Sequence, residues 1–133
     1  MTMKNLIRTL LFVFLTTTVV FSQNYKTFTK QLTVQTSTIA CDFSSEIVVK
    51  TTLGEPKINW TVQTNVGMSV LDALVKTGRY EVKVEEIKGV TVLRMPKIFT
   101  KIKIQDVEIN EKISCEILLP ESIILDKSPI LLN

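Results

Sequence analysis

The chain has 133 residues, 16 of them basic and 13 acidic, and contains no histidine. Without imidazole neither a Ser-His-Asp nor a Cys-His arrangement can form, and two isolated cysteines supply too few ligands for a four-coordinate zinc site. No GxGxxG or GxxxxGK[ST] run cradles a phosphate, so composition and motif point to no enzyme, no cofactor and no metal site.

The first 22 residues read as a signal peptide. Lys4 and Arg8 form a short basic start, and LLFVFLTTTVVF (10–21) is an uncharged apolar run. Val20 and Ser22 occupy positions minus three and minus one of a cut. The run is shorter than the roughly 20 residues a membrane-spanning helix needs. An uncleaved anchor is the alternative. A lipoprotein is not, because Cys41 of TIAC lies far downstream, inside a strand-like segment. Cleavage after Ser22 leaves one β-rich domain over 23–133, exported to the periplasm or cell surface with no further membrane span. Losing Lys4 and Arg8 leaves 14 basic residues against 13 acidic. No basic cluster interleaved with aromatics remains, which excludes nucleic acid as a partner.

FTKQLTVQ (28–35) sets Phe28, Lys30, Leu32 and Val34 against polar alternates, the period of a half-buried strand. SEIVVKTT (45–52) and KINWTVQTN (57–65) read as two more. LGEP (53–56) supplies turn residues between them, and the whole predicts a hairpin. In GMSVLDALVKTG (67–78) the period changes: Val70, Leu71, Leu74 and Val75 share a helical face, with Ser69 placed to cap it and Gly78 to stop it. One short helix is predicted near 68–77.

GRYEVKVEEIKGVTVLRM (78–95) predicts a hairpin that turns at Lys88-Gly89 and ends at Pro96. KIKIQDVEI (101–109) reads as a single strand. KISCEILLP (112–120) is another, with Ile113, Cys115, Ile117 and Leu119 on one face, and SIIL (122–125) is a last short one. The predicted fold is therefore mainly β after an N-terminal signal helix, with one short helix. Its body is either β-solenoid-like or a stacked antiparallel sheet, two architectures whose strands alternate identically.

Candidate chemistry is sparse. Cys41 and Cys115 enter an oxidising compartment on export; a bridge would close a loop of roughly 70 residues and contribute about 4 kcal/mol. They are otherwise two small buried hydrophobes. Asp106 and Glu108 lie two apart on a predicted strand, with Glu111 just beyond. A carboxylate pair is what a glycosidase requires, and oxygen clusters bind calcium. The plainer reading is a solvated strand face, since Lys101 and Lys103 share it. Glu81, Glu85 and Glu86, with Lys83 between them, read the same way.

Trp60 and Tyr80 are the residues able to stack on a sugar, although their phase with Ile58, Val62 and Val82 places them in the core. Asn59-Trp60-Thr61 spells a glycosylation sequon that a bacterial exporter would not ordinarily use. Arg79, at the helix-to-strand junction, reads as a surface residue.

From residue 45 onward, the EIVVKTT strand, the short helix running into GRYEVKV, the MP after the second hairpin strand and the run EKISCEILLPESIIL resemble a family of exported bacterial β-proteins, adhesin-like or of unknown function. The signal ending in FSQ resembles those of Bacteroidetes. The resemblance implies a right-handed β-solenoid or stacked-sheet body at the cell envelope. Such proteins continue past the Pro-Glu strand through further short rungs, whereas here the sequence stops at SPILLN (128–133). A short member, an exported fragment and a truncated reading frame all fit that departure.

The sequence is thus read as a non-enzymatic envelope module, structural or adhesin-like, whose partner is an unidentified envelope protein or glycan. The alternatives are a carbohydrate-binding module or small glycan-active enzyme using Asp106 and Glu108 with Trp60 and Tyr80, and a truncated fragment of a longer solenoid.

Overall fold

A computed structural model describes residues 23–44 and 46–126. The signal peptide read over 1–22 and the closing segment 128–133 lie outside them. In chain order the elements are β1 (Asn24–Gln31), β2 (Thr38–Cys41), β3 (Glu46–Thr51), β4 (Lys57–Thr64), α1 (Met68–Lys76), β5 (Lys83–Ile87), β6 (Val90–Arg94), a 3-10 turn (Pro96–Phe99), β7 (Lys103–Ile104), β8 (Val107–Glu108), β9 (Glu111–Leu119) and β10 (Ile124–Leu125).

The strands form two four-stranded sheets and one small hairpin. The first sheet has the order β1-β4-β9-β3, the second β10-β2-β6-β5, and β7 pairs with β8. Neither large sheet closes on itself. Both are mixed: β3 runs parallel to β9, and β2 runs parallel to both β6 and β10. The remaining pairings are antiparallel. A purely antiparallel stack is therefore not the architecture.

Alternation on β4 and β9 builds the core. Ile58, Trp60, Val62 and Thr64 are buried on one strand and Ile113, Cys115, Ile117 and Leu119 on the other. The register sets Ile58 opposite Ile117, Trp60 opposite Cys115 and Val62 opposite Ile113, so each apolar residue meets another across the ladder. The second sheet supplies Ile39 and Leu93 to the same core, together with Leu71 and Leu74 from α1. β2 and β6 bury consecutive residues, Ile39-Ala40 and Thr91-Val92-Leu93, as strands covered on both faces do.

Three predicted elements are corrected. The hairpin over 45–65 does not form, because β9 lies between β3 and β4. Gly54 lacks the positive φ of a tight two-residue turn, so the loop can span the width of an intervening strand. The single strand over 101–109 is instead the β7–β8 hairpin, folded at Gln105 and Asp106, whose φ values are 52° and 65°. The strand predicted at 28–35 starts at Asn24 and ends at Gln31.

The hairpin predicted over 78–95 forms from Lys83 to Arg94, with its turn at Lys88 and Gly89 in left-handed conformation (φ 52° and 79°), while residues 78–82 form a turn and loop ahead of β5. The helix starts without a side-chain cap: Gly67 holds the N-cap position and Ser69 lies inside α1. It stops at Gly78, φ 77°, whose N–H donates to the Val75 carbonyl.

Candidate functional site

Trp60 and Tyr80 come together beneath the surface. The indole Nε1 donates to the Tyr80 carbonyl at 3.0 Å, and the indole ring stacks on Phe28 with centroids 5.4 Å apart. Both side chains are buried, at 5% and 2% exposure. A cleft of about 280 Å³ opens beside them, lined also by Phe28, Val75, Gly78 and Glu81. So little of either ring reaches solvent that neither offers a free face for a sugar to stack on.

Asp106 and Glu108 do not join them. Asp106 sits in the β7–β8 turn, and Glu108 on β8 pairs with Lys101 Nζ at 3.6 Å. Neither carboxylate lines the aromatic cleft. The left-handed turn takes Asp106 off the strand, so the two-residue spacing no longer sets both carboxylates on one strand face. Among the described residues no cluster of three or more His, Cys, Asp or Glu could hold a metal ion.

Arg79, read from the sequence as a surface residue, is 3% exposed. Its Nε donates to Glu111 Oε2 at 2.8 Å and its Nη2 to Oε1 at 2.6 Å, a bidentate pair. Nη1 reaches the Lys97 carbonyl and Nη2 the Thr100 carbonyl, each at 2.8 Å, while the Tyr80 hydroxyl donates to Glu111 Oε2 at 2.6 Å. One guanidinium thus ties the end of α1, the 3-10 turn and the start of β9 together. The signal for it lay in β9: Glu111 stands in phase with the buried row Ile113, Cys115, Ile117 and Leu119, and a carboxylate entering a buried row needs a cation.

Bonding to Glu111 raises the already high Arg79 pKa further, so the guanidinium stays charged. Burial, reinforced by Glu111, pushes the Tyr80 phenol well above its ordinary value. The linkage has a definite sign. Above about pH 10, where an unfolded tyrosine ionises, the native phenol still holds its proton, so the unfolded state binds fewer protons and stability falls as pH rises. A urea series through this range is expected to show that decline in the wild type and less of it in Tyr80→Phe.

The outer side of the first sheet offers a surface of different character. Among the described residues β3 has β9 as its one neighbour. Val48 is 54% exposed, Val49 is also exposed, and Leu53 just beyond stands fully in solvent. Lys50 Nζ lies 2.9 Å from Glu116 and Lys112 Nζ 3.1 Å from Glu46, so two ion pairs lace β3 to β9 on this side. Bonding to Lys50 holds the Glu116 carboxyl below the usual range. A shallow trough of about 730 Å³ runs beside them, lined by Thr27, Thr29, Val48, Asn59, Thr61 and Glu116 among others.

The Thr52 N–H donates to the Leu119 carbonyl at 2.9 Å. By strand alternation Val48 and Lys50 turn their N–H groups the same way, toward β9, and Ile47, Val49 and Thr51 turn theirs outward. Among the described residues nothing pairs with the outer edge, so its backbone donors and acceptors, flanked by apolar side chains, form the usual template for an added strand.

Over the described residues these features define a mainly β protein with two open mixed sheets around one core and a β3 edge with no second neighbour. No helix among the described residues is long and apolar enough to cross a membrane. No protein-family model matches the sequence, and no curated protein matches it. Among solved structures the chain is similar to a "putative adhesin" from Parabacteroides merdae, at 12% identity and a TM-score of 0.42. The match covers 76% of this chain and 33% of that one, so the chain spans about a third of its neighbour's length.

Proposed function

We propose that the chain works outside the cytoplasm, in the periplasm or at the cell surface, as a non-enzymatic, adhesin-like interaction module. In this reading it engages its partner by strand addition at β3. The observation that carries the proposal is the β3 edge itself, a six-residue strand paired on one side among the described residues, with Val48, Val49 and Leu53 exposed along it. Main-chain hydrogen bonds give such an edge its affinity and the flanking side chains its selectivity. The parallel pairings of β3 with β9, and of β2 with β6 and β10, support a solenoid-like body in which successive passes add strands side by side.

The test exploits the direction of the Val49 N–H. Val49→Pro removes an outward donor and leaves the ladder to β9 in place, a position where an edge strand tolerates proline. Labelled protein is titrated onto isolated envelope of the producing bacterium. The variant is expected to bind about tenfold more weakly, a loss of roughly 1.4 kcal/mol, with an unchanged unfolding midpoint. Equal binding by both proteins would overturn strand addition at this edge.

A second reading, a glycan-binding module, has one observation in its favour. A polar cleft of about 500 Å³ at the far end of the first sheet is lined by the amides of Gln23, Gln63, Asn65 and Asn110 with Glu111 and Lys112. Glycan-array binding lost on Asn65→Ala and kept in Val49→Pro would favour this reading over the first.

A further inference from the structure

Cys41 closes β2 in the second sheet, and Cys115 sits at the middle of β9 in the first. They lie 74 residues apart in sequence, yet their Sγ atoms stand 3.9 Å from one another across the core. Both thiols are free. Cys115 is 4% exposed, and Cys41 is half-buried at the margin of the same core. The contact joins two sheets that share no backbone hydrogen bond to each other.

From this juxtaposition we infer that Cys41 and Cys115 are a redox pair, oxidised by an external disulfide to a covalent link between the two sheets. A disulfide needs its sulfurs about 2.05 Å apart. The remaining gap lies between two sulfurs already in contact, and rotation of the two side chains about χ1 is the movement that closes it.

The acidities of the two groups fit a division of labour. The two thiols share a hydrogen bond in which either sulfur can donate; this contact, with help from the Ser44 hydroxyl, lowers the Cys115 pKa, and together with burial it raises that of Cys41. Cys115 is therefore the first to ionise and the base for its neighbour. Cys41, the more exposed residue of the two, passes its proton to Cys115 and attacks one sulfur of the donor disulfide. An S–S bond forms, and the donor's other sulfur leaves as a thiolate. Cys115 then releases its proton to solvent and attacks Cys41 Sγ, expelling the second donor thiolate. Two protein thiols become one disulfide, the donor disulfide becomes two thiols, and two electrons pass to the donor.

Both outcomes can be read on the full chain with glutathione as the probe. Protein purified under reduction is exposed to oxidised glutathione, alkylated with iodoacetamide under denaturing conditions and weighed intact. The expected product has lost two hydrogens, carries no alkyl group and unfolds at higher urea than the reduced form. A folded protein that still takes up two alkyl groups, or that is recovered as Cys41-linked dimers, would overturn the pairing.

The order of attack is tested with Cys115→Ala, where Cys41 is expected to be trapped as its glutathione mixed disulfide. In Cys41→Ala, Cys115 is expected to stay unmodified while the protein is folded. An adduct on Cys115 in the folded Cys41→Ala protein would overturn the assigned order. If either variant fails to fold, the oxidised and reduced wild-type midpoints still decide the pairing, since a link absent from the native state leaves them equal.

Discussion

Replacing Arg79 with methionine is expected to lower stability by about 3–5 kcal/mol, because it strands a carboxylate inside the protein. Glu111 receives two hydrogen bonds from the guanidinium and one from the Tyr80 hydroxyl. Without Arg79 the carboxylate keeps only the tyrosine, the Thr100 carbonyl loses its guanidinium donor, and the Lys97 carbonyl keeps only the Thr100 N–H. A surface ion pair would matter far less, at about 0–1 kcal/mol. Here the side chains are 4% and 10% exposed, which decides the regime.

The double variant Arg79→Met, Glu111→Leu is expected to recover much of the loss, since removing both charges also removes their desolvation cost. Urea denaturation of the two single variants, the double variant and the wild type completes the cycle. A single-variant loss below about 1 kcal/mol would place the pair among surface salt bridges instead. The 3-10 turn should loosen first in Arg79→Met, because the guanidinium holds the carbonyls of Lys97 and Thr100 across it. Faster amide exchange between Pro96 and Thr100 would report that change.

Trp60→Ala is the second large effect, expected at about 3–5 kcal/mol for emptying a core aromatic site. The indole lies between Phe28, on which it stacks, and the Tyr80 carbonyl, to which it donates. Trp60→Phe keeps most of the apolar volume but leaves that carbonyl without its donor, a cost of about 1–3 kcal/mol. The ranking wild type, then Phe, then Ala is the signature of a packing residue. Trp60 is the single tryptophan of the chain, so the variants must be followed by circular dichroism rather than by fluorescence. If Trp60→Ala unfolded at the wild-type midpoint and abolished glycan binding, the residue would be a ligand platform.

How much of this could be read in advance depended on the range of the interaction. The strands β4 and β9 were legible because alternation is local, and each strand carries its own record of which face is dry. The Lys88-Gly89 turn and the stop at Gly78 were legible for a similar reason, since a positive φ at a chain reversal or helix end favours glycine. The β7–β8 hairpin was not, because Asp106 is the one turn-favouring residue at the reversal, with no glycine or proline beside it, and the flanking KIKI and VEI continue the alternation. The Asp106 and Glu108 pairing rested on that missed reversal.

The sequence by itself determined that the described residues are mainly β with one short helix, since period and turn chemistry are properties of neighbouring residues. Only the tertiary structure decided which strands touch. β9 enters between β3 and β4, parallel pairings mix with antiparallel ones, and Arg79 goes inward to meet Glu111, 32 residues away. Cys41 and Cys115 meet in the same manner. Apart from Glu111 standing in phase with the buried row of β9, none of these contacts leaves a local trace, because burial selects partners by the shape and charge of surfaces assembled from distant segments.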